Sequence, residues 1–168
     1  LMEKHSIDAL FLTQKENLRY LAGYNQGAWV CKHFYFFSLL PADPSNDPIL
    51  FLPKGDPTGK ASYIEDVREY TWPKGYTDVS SALPNSLELV VDVLKERGLS
   101  NSTIGLEMSP DFRVNMGMGN FEAFRKALPE ANLVDASDLL WELRSVKSKG
   151  EIEELRKAIT EEDLLETL

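Results

Sequence analysis

The sequence predicts an α/β fold in which a mixed sheet is covered by helices on both faces. In the second half of the chain, strand-like and helix-like segments alternate, which implies crossover connections and parallel pairing. In the first half, two apolar segments flank a proline-rich turn, which favours an antiparallel hairpin. The 168 residues include 43% hydrophobic and 27% charged residues, enough to form the core of one folded domain.

The first elements are short. Residues 2–7 are compatible with a helix but have no capping residue before them, so the chain is expected to begin inside a helix. Residues 8–13 are apolar and predict a strand. Residues 17–23 predict a single helical turn ended by Gly23, and a loop is expected at residues 24–28.

An aromatic and aliphatic run predicts a long strand over residues 29–40. The turn at residues 41–48 contains three prolines and leads to residues 49–52, the expected hairpin partner. A short helix is predicted over residues 61–67 and a further strand over residues 69–72, where Pro73 ends it.

The second half gives the clearest helix, because its apolar residues recur at helical spacing up to the terminating Gly98. These residues are Leu83, Leu87, Val90, Val91 and Leu94. Residues 103–108 and 132–135 predict strands, separated by a helix that buries Phe121, Phe124 and Leu128.

A helix is predicted over residues 136–146, and a second one follows it. Ser148 and Glu151 form a capping box, in which each side chain satisfies a backbone donor of the other residue. Apolar residues then recur at Ile152, Leu155 and Ile159, and no stop signal follows up to Leu168, so the chain is expected to be either cut or artificially extended at this end.

Charge and composition exclude several classes of function. The 18 Lys and Arg against 27 Asp and Glu give a formal charge of −9, which offers no basic surface for nucleic acid. No apolar run reaches the ~20 residues that span a bilayer, and the first residues, Leu1-Met2-Glu3-Lys4-His5, lack the basic segment and apolar stretch that are typical of a signal peptide. With a single cysteine as well, these features predict a cytoplasmic protein that binds neither nucleic acid nor membrane.

No residue pattern by itself marks an active site. Cys31 and His33 would lie on the same face of a strand, but a structural zinc site needs two more ligands, and His5 is the only other imidazole. The acidic residues lie mainly on helix faces beside Lys and Arg, which is typical of a solvated surface.

Four segments, in this order and spacing, resemble the N-terminal domain of the creatinase and Xaa-Pro peptidase family, which includes prolidase and aminopeptidase P. They are Ile7-Asp-Ala-Leu-Phe-Leu-Thr13, Asn17-Leu-Arg-Tyr-Leu-Ala-Gly-Tyr24, Ile104-Gly-Leu-Glu107, and Leu143-Arg-Ser-Val-Lys-Ser-Lys-Gly-Glu-Ile-Glu-Glu-Leu-Arg-Lys-Ala158. The resemblance extends over nearly the whole chain, and its most specific part is the last segment.

The resemblance implies a three-layer αβα domain of the ribonuclease H-like type, with a mixed, mostly parallel sheet. It implies a domain at residues 1–147 and a linker helix at residues 148–168 toward a C-terminal "pita-bread" catalytic domain. In the family, that catalytic domain holds two divalent metal ions, here expected to be Mn, Co or Zn, which activate water. No catalytic residue and no metal ligand is therefore assigned to residues 1–168.

The resemblance also implies the role of this domain. In the family it contributes dimer contacts and can narrow the active site of the partner subunit. The expected partners are thus the chain's own C-terminal domain, a second copy in a homodimer, and a proline-containing peptide. In the family, the loop after the Asn-x-x-Tyr-Leu-x-Gly motif lies near that active site, so the resemblance implies Tyr24, Asn25, Trp29 and His33 as substrate-contacting residues. The alternative is that Trp29 and His33, which begin the predicted strand, belong to the core.

Three hypotheses for the whole protein stay open on the sequence. The first is a metal-dependent Xaa-Pro dipeptidase or aminopeptidase. The second is a creatinase or a related lyase, since the same catalytic fold acts on several substrates. The third is a non-enzymatic module that binds peptides or histones through its acidic surface.

Overall fold

The structure is a computed structural model that describes residues 1–25, 35–56, 62–71, 85–109 and 112–165; nothing is described of the side chains beyond residue 159. The chain divides into two compact units, Leu1–Ser137 and Asp138–Leu168. No described helix is both long enough and apolar enough to cross a membrane.

The first unit contains a six-stranded sheet with the order β4-β3-β2-β1-β5-β6. The strands are β1 Ala9–Leu12, β2 Phe37–Pro41, β3 Ile49–Pro53, β4 Asp66–Tyr70, β5 Thr103–Leu106 and β6 Asn132–Asp135. Strand β2 pairs antiparallel with β1 and β3, whereas the β1–β5, β3–β4 and β5–β6 pairs are parallel. The predicted mixed, mostly parallel sheet is confirmed.

The described residues form five helices: α1 Lys15–Ala22, α2 Asn85–Glu96, α3 Met118–Ala127, α4 Ser137–Ser145 and α5 Lys149–Leu165. Helices α2 and α3 pack on one face, in a cluster that includes Phe11, Phe51 and Phe124. On the opposite face Leu10 and Leu50 are buried, and α1 packs beside β2. Helices therefore cover both faces, which confirms the αβα architecture.

Several elements form as their local sequence predicts. Strands β2 and β3 make the hairpin around the proline-rich turn. Helix α2 buries four residues of the predicted apolar stripe, Leu87, Val90, Val91 and Leu94, whereas Leu83 lies outside the described residues. The helix is followed by Gly98 in the left-handed conformation, with φ 71°. The capping box before α5 forms in both directions: the Ser148 amide donates to Glu151 Oε2 at 2.8 Å, and the Glu151 amide donates to Ser148 Oγ at 3.2 Å.

The predicted helix over residues 61–67 is wrong. Ser62 and Tyr63 form a bend, and Asp66 and Val67 already belong to β4. Pairing explains the difference, because β4 runs parallel to β3 along all five of its residues. The strand predicted over residues 69–72 therefore begins earlier and ends at Tyr70.

Two further predictions, the helix over residues 2–7 and the strand over residues 29–40, also need correction. Residues 2–6 form a hydrogen-bonded turn instead of a helix, and Ser6 with φ 53° reverses the chain before β1. Of the long strand predicted over residues 29–40, the described part begins only at Phe37, because Tyr35 and Phe36 have no regular secondary structure. Residues 29–34 of that prediction lie outside the described residues.

Candidate functional site

Polar side chains follow β1, β5 and β6 where each strand ends. Thr13 comes after β1, Glu107 comes after β5, and Asp135 is the last residue of β6. Because these three strands are parallel neighbours, their carboxyl ends meet at the same edge of the sheet. This edge is the candidate site.

The carboxylate of Glu107 is the centre of this edge and is only 1% exposed. Its Oε2 accepts hydrogen bonds from the Thr13 amide at 2.8 Å, the Thr13 hydroxyl at 2.7 Å and the Gln14 amide at 3.0 Å. Its Oε1 accepts one from Asn17 Nδ2 at 2.7 Å. The four bonds join the end of β5 to the first turn of α1 across 90 to 94 positions of sequence.

Helix α1 has no capping side chain of its own, since Gln14 at its N-cap makes no side-chain cap hydrogen bond. Glu107 supplies the acceptor from a distant part of the chain, and a negative charge is favourable at a helix N-terminus. Burial raises the pKa of Glu107, and the hydrogen bonds from Thr13 and Asn17 oppose this increase. With both oxygens held by buried donors, Glu107 anchors the helix and does not face solvent.

Three of the four segments that carry the family resemblance meet here. The first ends at Thr13, the second begins at Asn17, and the third ends at Glu107. The third segment also requires glycine at position 105, because a larger residue would not fit there. A Cβ on Gly105 would lie 2.8 Å from the Ala136 Cβ and 3.0 Å from Leu10 Cδ2. The shared segments thus encode one packing arrangement.

The Thr13 hydroxyl extends the same network to the loop between β5 and α3. Its Oγ1 accepts a hydrogen bond from the Asn115 amide at 2.8 Å. The neighbouring Asp135 accepts bonds from the Met108 amide at 3.1 Å and from the Ser137 hydroxyl at 2.5 Å. Both ends of this loop are therefore fixed to the sheet edge.

The structure places two of the four predicted substrate-contacting residues. Tyr24 is fully buried: its ring lies 5.6 Å from the Phe36 ring, and its hydroxyl donates to Asp56 Oδ2 at 2.9 Å. Asn25 is exposed. Trp29 and His33 lie outside the described residues, as does the Cys31 and His33 pair.

Sequence reasoning did not identify Glu107 as the anchor of this edge. The available signal was a glutamate directly after a buried apolar strand, which requires a partner. The partners themselves are visible only in the folded chain. Across the described ranges, no group of three or more His, Cys, Asp or Glu side chains is arranged to hold a metal ion.

Comparisons with known proteins agree with this arrangement. Residues 1–146 match the family described as Creatinase/Prolidase N-terminal domain. The chain is 24% identical over 159 residues to the ectoine hydrolase of Halomonas elongata, and this match covers 94% of the chain and 38% of that protein. The chain thus spans well under half the length of this curated relative.

Solved structures share the fold. A proline dipeptidase from Streptococcus pneumoniae TIGR4 superposes with a TM-score of 0.62 at 16% identity, over 87% of this chain and 93% of that chain. An X-Pro aminopeptidase from Thermotoga maritima MSB8 superposes with a TM-score of 0.68 at 18% identity, over 99% of this chain and 40% of that chain.

Proposed function

The chain belongs to the creatinase/prolidase N-terminal domain family, and from this membership we propose that it is the non-catalytic N-terminal domain of a metal-dependent Xaa-Pro dipeptidase or aminopeptidase. The observation that carries the proposal is the family match over residues 1–146, which includes the whole sheet. The likeness to an X-Pro aminopeptidase, of which the chain covers 40%, supports a position beside a larger catalytic part.

Helix α5 supports this division of the protein. It starts at Lys149, just after the matched residues, and its capping box fixes that start. Ile152, Leu155 and Ile159 share one side of the helix and are 38%, 52% and 60% exposed. An apolar stripe of this kind requires a partner surface. In the proposal, α5 is the linker helix and its partner is the C-terminal catalytic domain.

The proposal assigns the two divalent ions, Mn, Co or Zn, to that catalytic domain. Metal-assisted hydrolysis needs a converging set of carboxylate and imidazole ligands. The described residues of this chain do not fit such a set. The proposal therefore assigns no metal ligand to the residues that the structure describes.

The role proposed for this domain is to form dimer contacts and part of the wall of the substrate site. Asn25 supports it, since its exposed side chain follows the buried Tyr24 directly. The Tyr24–Asp56 hydrogen bond fixes the described start of the predicted loop, and Trp29 and His33 follow that loop in the sequence. In the proposed dimer, this loop contacts a proline-containing peptide bound by the partner subunit.

Two experiments test the proposal. The purified 168-residue chain, assayed on Xaa-Pro dipeptides with Mn²⁺, Co²⁺ or Zn²⁺, is expected to show no turnover. Reading the gene beyond the codon for Leu168 is expected to show a catalytic region with two Asp, one His and two Glu as metal ligands. Metal-dependent turnover by the chain alone would overturn the proposal, and so would a stop codon directly after Leu168.

A second candidate function follows from the curated relative. Since the chain resembles an ectoine hydrolase over 94% of its length, the parent protein could hydrolyse a C–N bond of a small non-peptide substrate, as a creatinase does. Comparing the rates of the full-length enzyme on a Xaa-Pro dipeptide, creatine and ectoine distinguishes the two candidates.

A further inference from the structure

We propose that the loop between β5 and α3 forms a binding groove for the carboxyl-terminal residue of a peptide, when that residue has an apolar side chain. We call this groove the methionine groove. It encloses about 280 Å³ and is lined by Met108, Ser109, Phe112, Arg113, Val114, Met116, Met118 and Phe121. Three of the chain's four methionines are in this list, and the fourth is Met2.

The walls of the groove are apolar and adaptable. Val114, Met116 and Phe121 pack against the main core, so the floor is fixed. Met108 and Met118 are 43% and 77% exposed, so the mouth is open. Methionine is flexible and polarisable, which makes it common on surfaces that bind varied apolar side chains.

The backbone of the groove is held in place before anything binds. The Met108 amide is held by Asp135 at 3.1 Å and the Ser109 amide by the Ser137 hydroxyl at 3.2 Å. The Asn115 amide is held by the Thr13 hydroxyl, itself bound to Glu107. Backbone groups that are already held by hydrogen bonds lose less conformational entropy on binding.

The charge beside the groove favours a negatively charged ligand. The chain carries −9 overall, yet Arg113 is the only ionisable side chain among the described residues that line the groove, which exclude residues 110 and 111. Arg113 is exposed and forms no ion pair with any other residue that the structure describes. A guanidinium is suited to a carboxylate, with which it can form two parallel hydrogen bonds.

The volume of the groove further restricts which ligands it can bind. Complete ligand pockets enclose about 300–1,000 Å³, so this groove takes a small group and not a whole large ligand. One apolar residue with its free carboxylate places its side chain between the methionines and its charge beside Arg113. This inference concerns binding to the present chain, so it stands or fails independently of the proposed function.

The experiment uses the 168-residue chain labelled with ¹³C at its methionine methyl groups, observed by NMR. The probe is N-acetyl-leucine, and its matched control is N-acetyl-leucinamide, which lacks the negative charge. With about 12 non-hydrogen atoms, the probe is expected to bind with a Kd of about 2 mM. Titration to about 20 mM therefore approaches saturation.

The expected result is that the signals of Met108, Met116 and Met118 shift while that of Met2 does not. The acid should bind about threefold more tightly than the amide, because Arg113 is exposed to solvent. Arg113→Gln should remove this difference, whereas Lys126→Gln, an exposed cation on α3 outside the groove, should keep it.

Four results would each overturn the inference: no shift of the groove signals over the titration, an equal shift of Met2, equal affinity for acid and amide in the unmodified chain, or an acid preference that survives Arg113→Gln. A shift of the groove signals with protein concentration alone would show that a second copy occupies the groove. That result would overturn it as well.

Discussion

Replacing Glu107 tests whether the edge of the sheet is held together as the geometry indicates. Glu107→Ala removes one acceptor group that serves four donors of Thr13, Gln14 and Asn17. A buried donor without a partner costs about 1–3 kcal/mol. If water enters the space and satisfies two of the four, the remaining two cost about 2–6 kcal/mol. We expect a loss of about 4 kcal/mol, a large part of the 5–15 kcal/mol typical of a domain.

Glu107→Gln is a finer perturbation, because it keeps the shape and one acceptor oxygen. Its new NH₂ group then faces a donor, that of Asn17 if the oxygen stays with Thr13 and Gln14. We expect a loss of about 2 kcal/mol. Adding Asn17→Asp places an acceptor opposite the NH₂ group and returns the charge, so the double variant should recover at least about 1 kcal/mol.

The assay is urea unfolding followed by circular dichroism, with the free energy of unfolding obtained by linear extrapolation. The control is Glu130→Ala, which removes an exposed carboxylate from the turn before β6. If Glu107→Ala destabilises the chain no more than this control does, the anchoring role of Glu107 is wrong. An absence of coupling between positions 107 and 17 would show that the two side chains do not act as a pair.

The buried carboxyl group of Glu107 should also make the free energy of unfolding depend on pH. Burial raises the pKa of Glu107, so near that pKa the folded chain binds more protons than the unfolded chain. Its contribution to stability therefore decreases as the pH rises from the ordinary glutamate pKa through the raised one, and is constant above. Glu107→Gln should abolish this decrease.

Three further predictions concern other parts of the chain. Gly105→Ala should cost about 1–3 kcal/mol in urea unfolding, because the new Cβ meets Ala136 at 2.8 Å; a neutral effect would contradict the close packing. The hydrogen bond from Arg68 lowers the pKa of Asp66. The stabilisation that Asp66 contributes is therefore present above the ordinary aspartate pKa and is lost as the pH falls through the lowered pKa. Asp66→Asn should make the free energy of unfolding less dependent on pH in this acidic range, and an unchanged dependence would refute the prediction. Ser148→Ala should destabilise the first turn of α5 by about 1 kcal/mol, because the Glu151 amide loses its acceptor. Circular dichroism should then show lower helicity, and unchanged helicity would show that the cap does not stabilise the helix.

Local pattern was sufficient where an element depends on its own residues. The α2 stripe with Gly98 beyond it, the proline-rich hairpin turn and the Ser148–Glu151 box were all predicted and are confirmed. The alternation of strands and helices also predicted the parallel half of the sheet. The α2 stripe, the hairpin turn and the capping box depend on contacts between residues that are close in sequence.

Local pattern failed where a distant strand decides the conformation. Asp66 and Val67 read as helix by themselves, but pairing with β3 places them in β4, and Asp66 there meets Arg97 at the end of α2 at 2.8 Å. The early end of the N-terminal turn at Ser6 has a similar cause, since the Asp8 amide must reach the Thr103 carbonyl. Tertiary pairing overrides weak local propensity.

By itself, then, the amino-acid order determined the fold class, the family resemblance and the start of the last helix. Only the folded chain decided that Thr13, Asn17 and Glu107 form one buried network, and that three methionines and Arg113 surround one groove. The physical reason is sequence separation: Thr13 and Glu107 are 94 positions apart, and a buried carboxylate shows in the sequence only that it needs donors, not which ones.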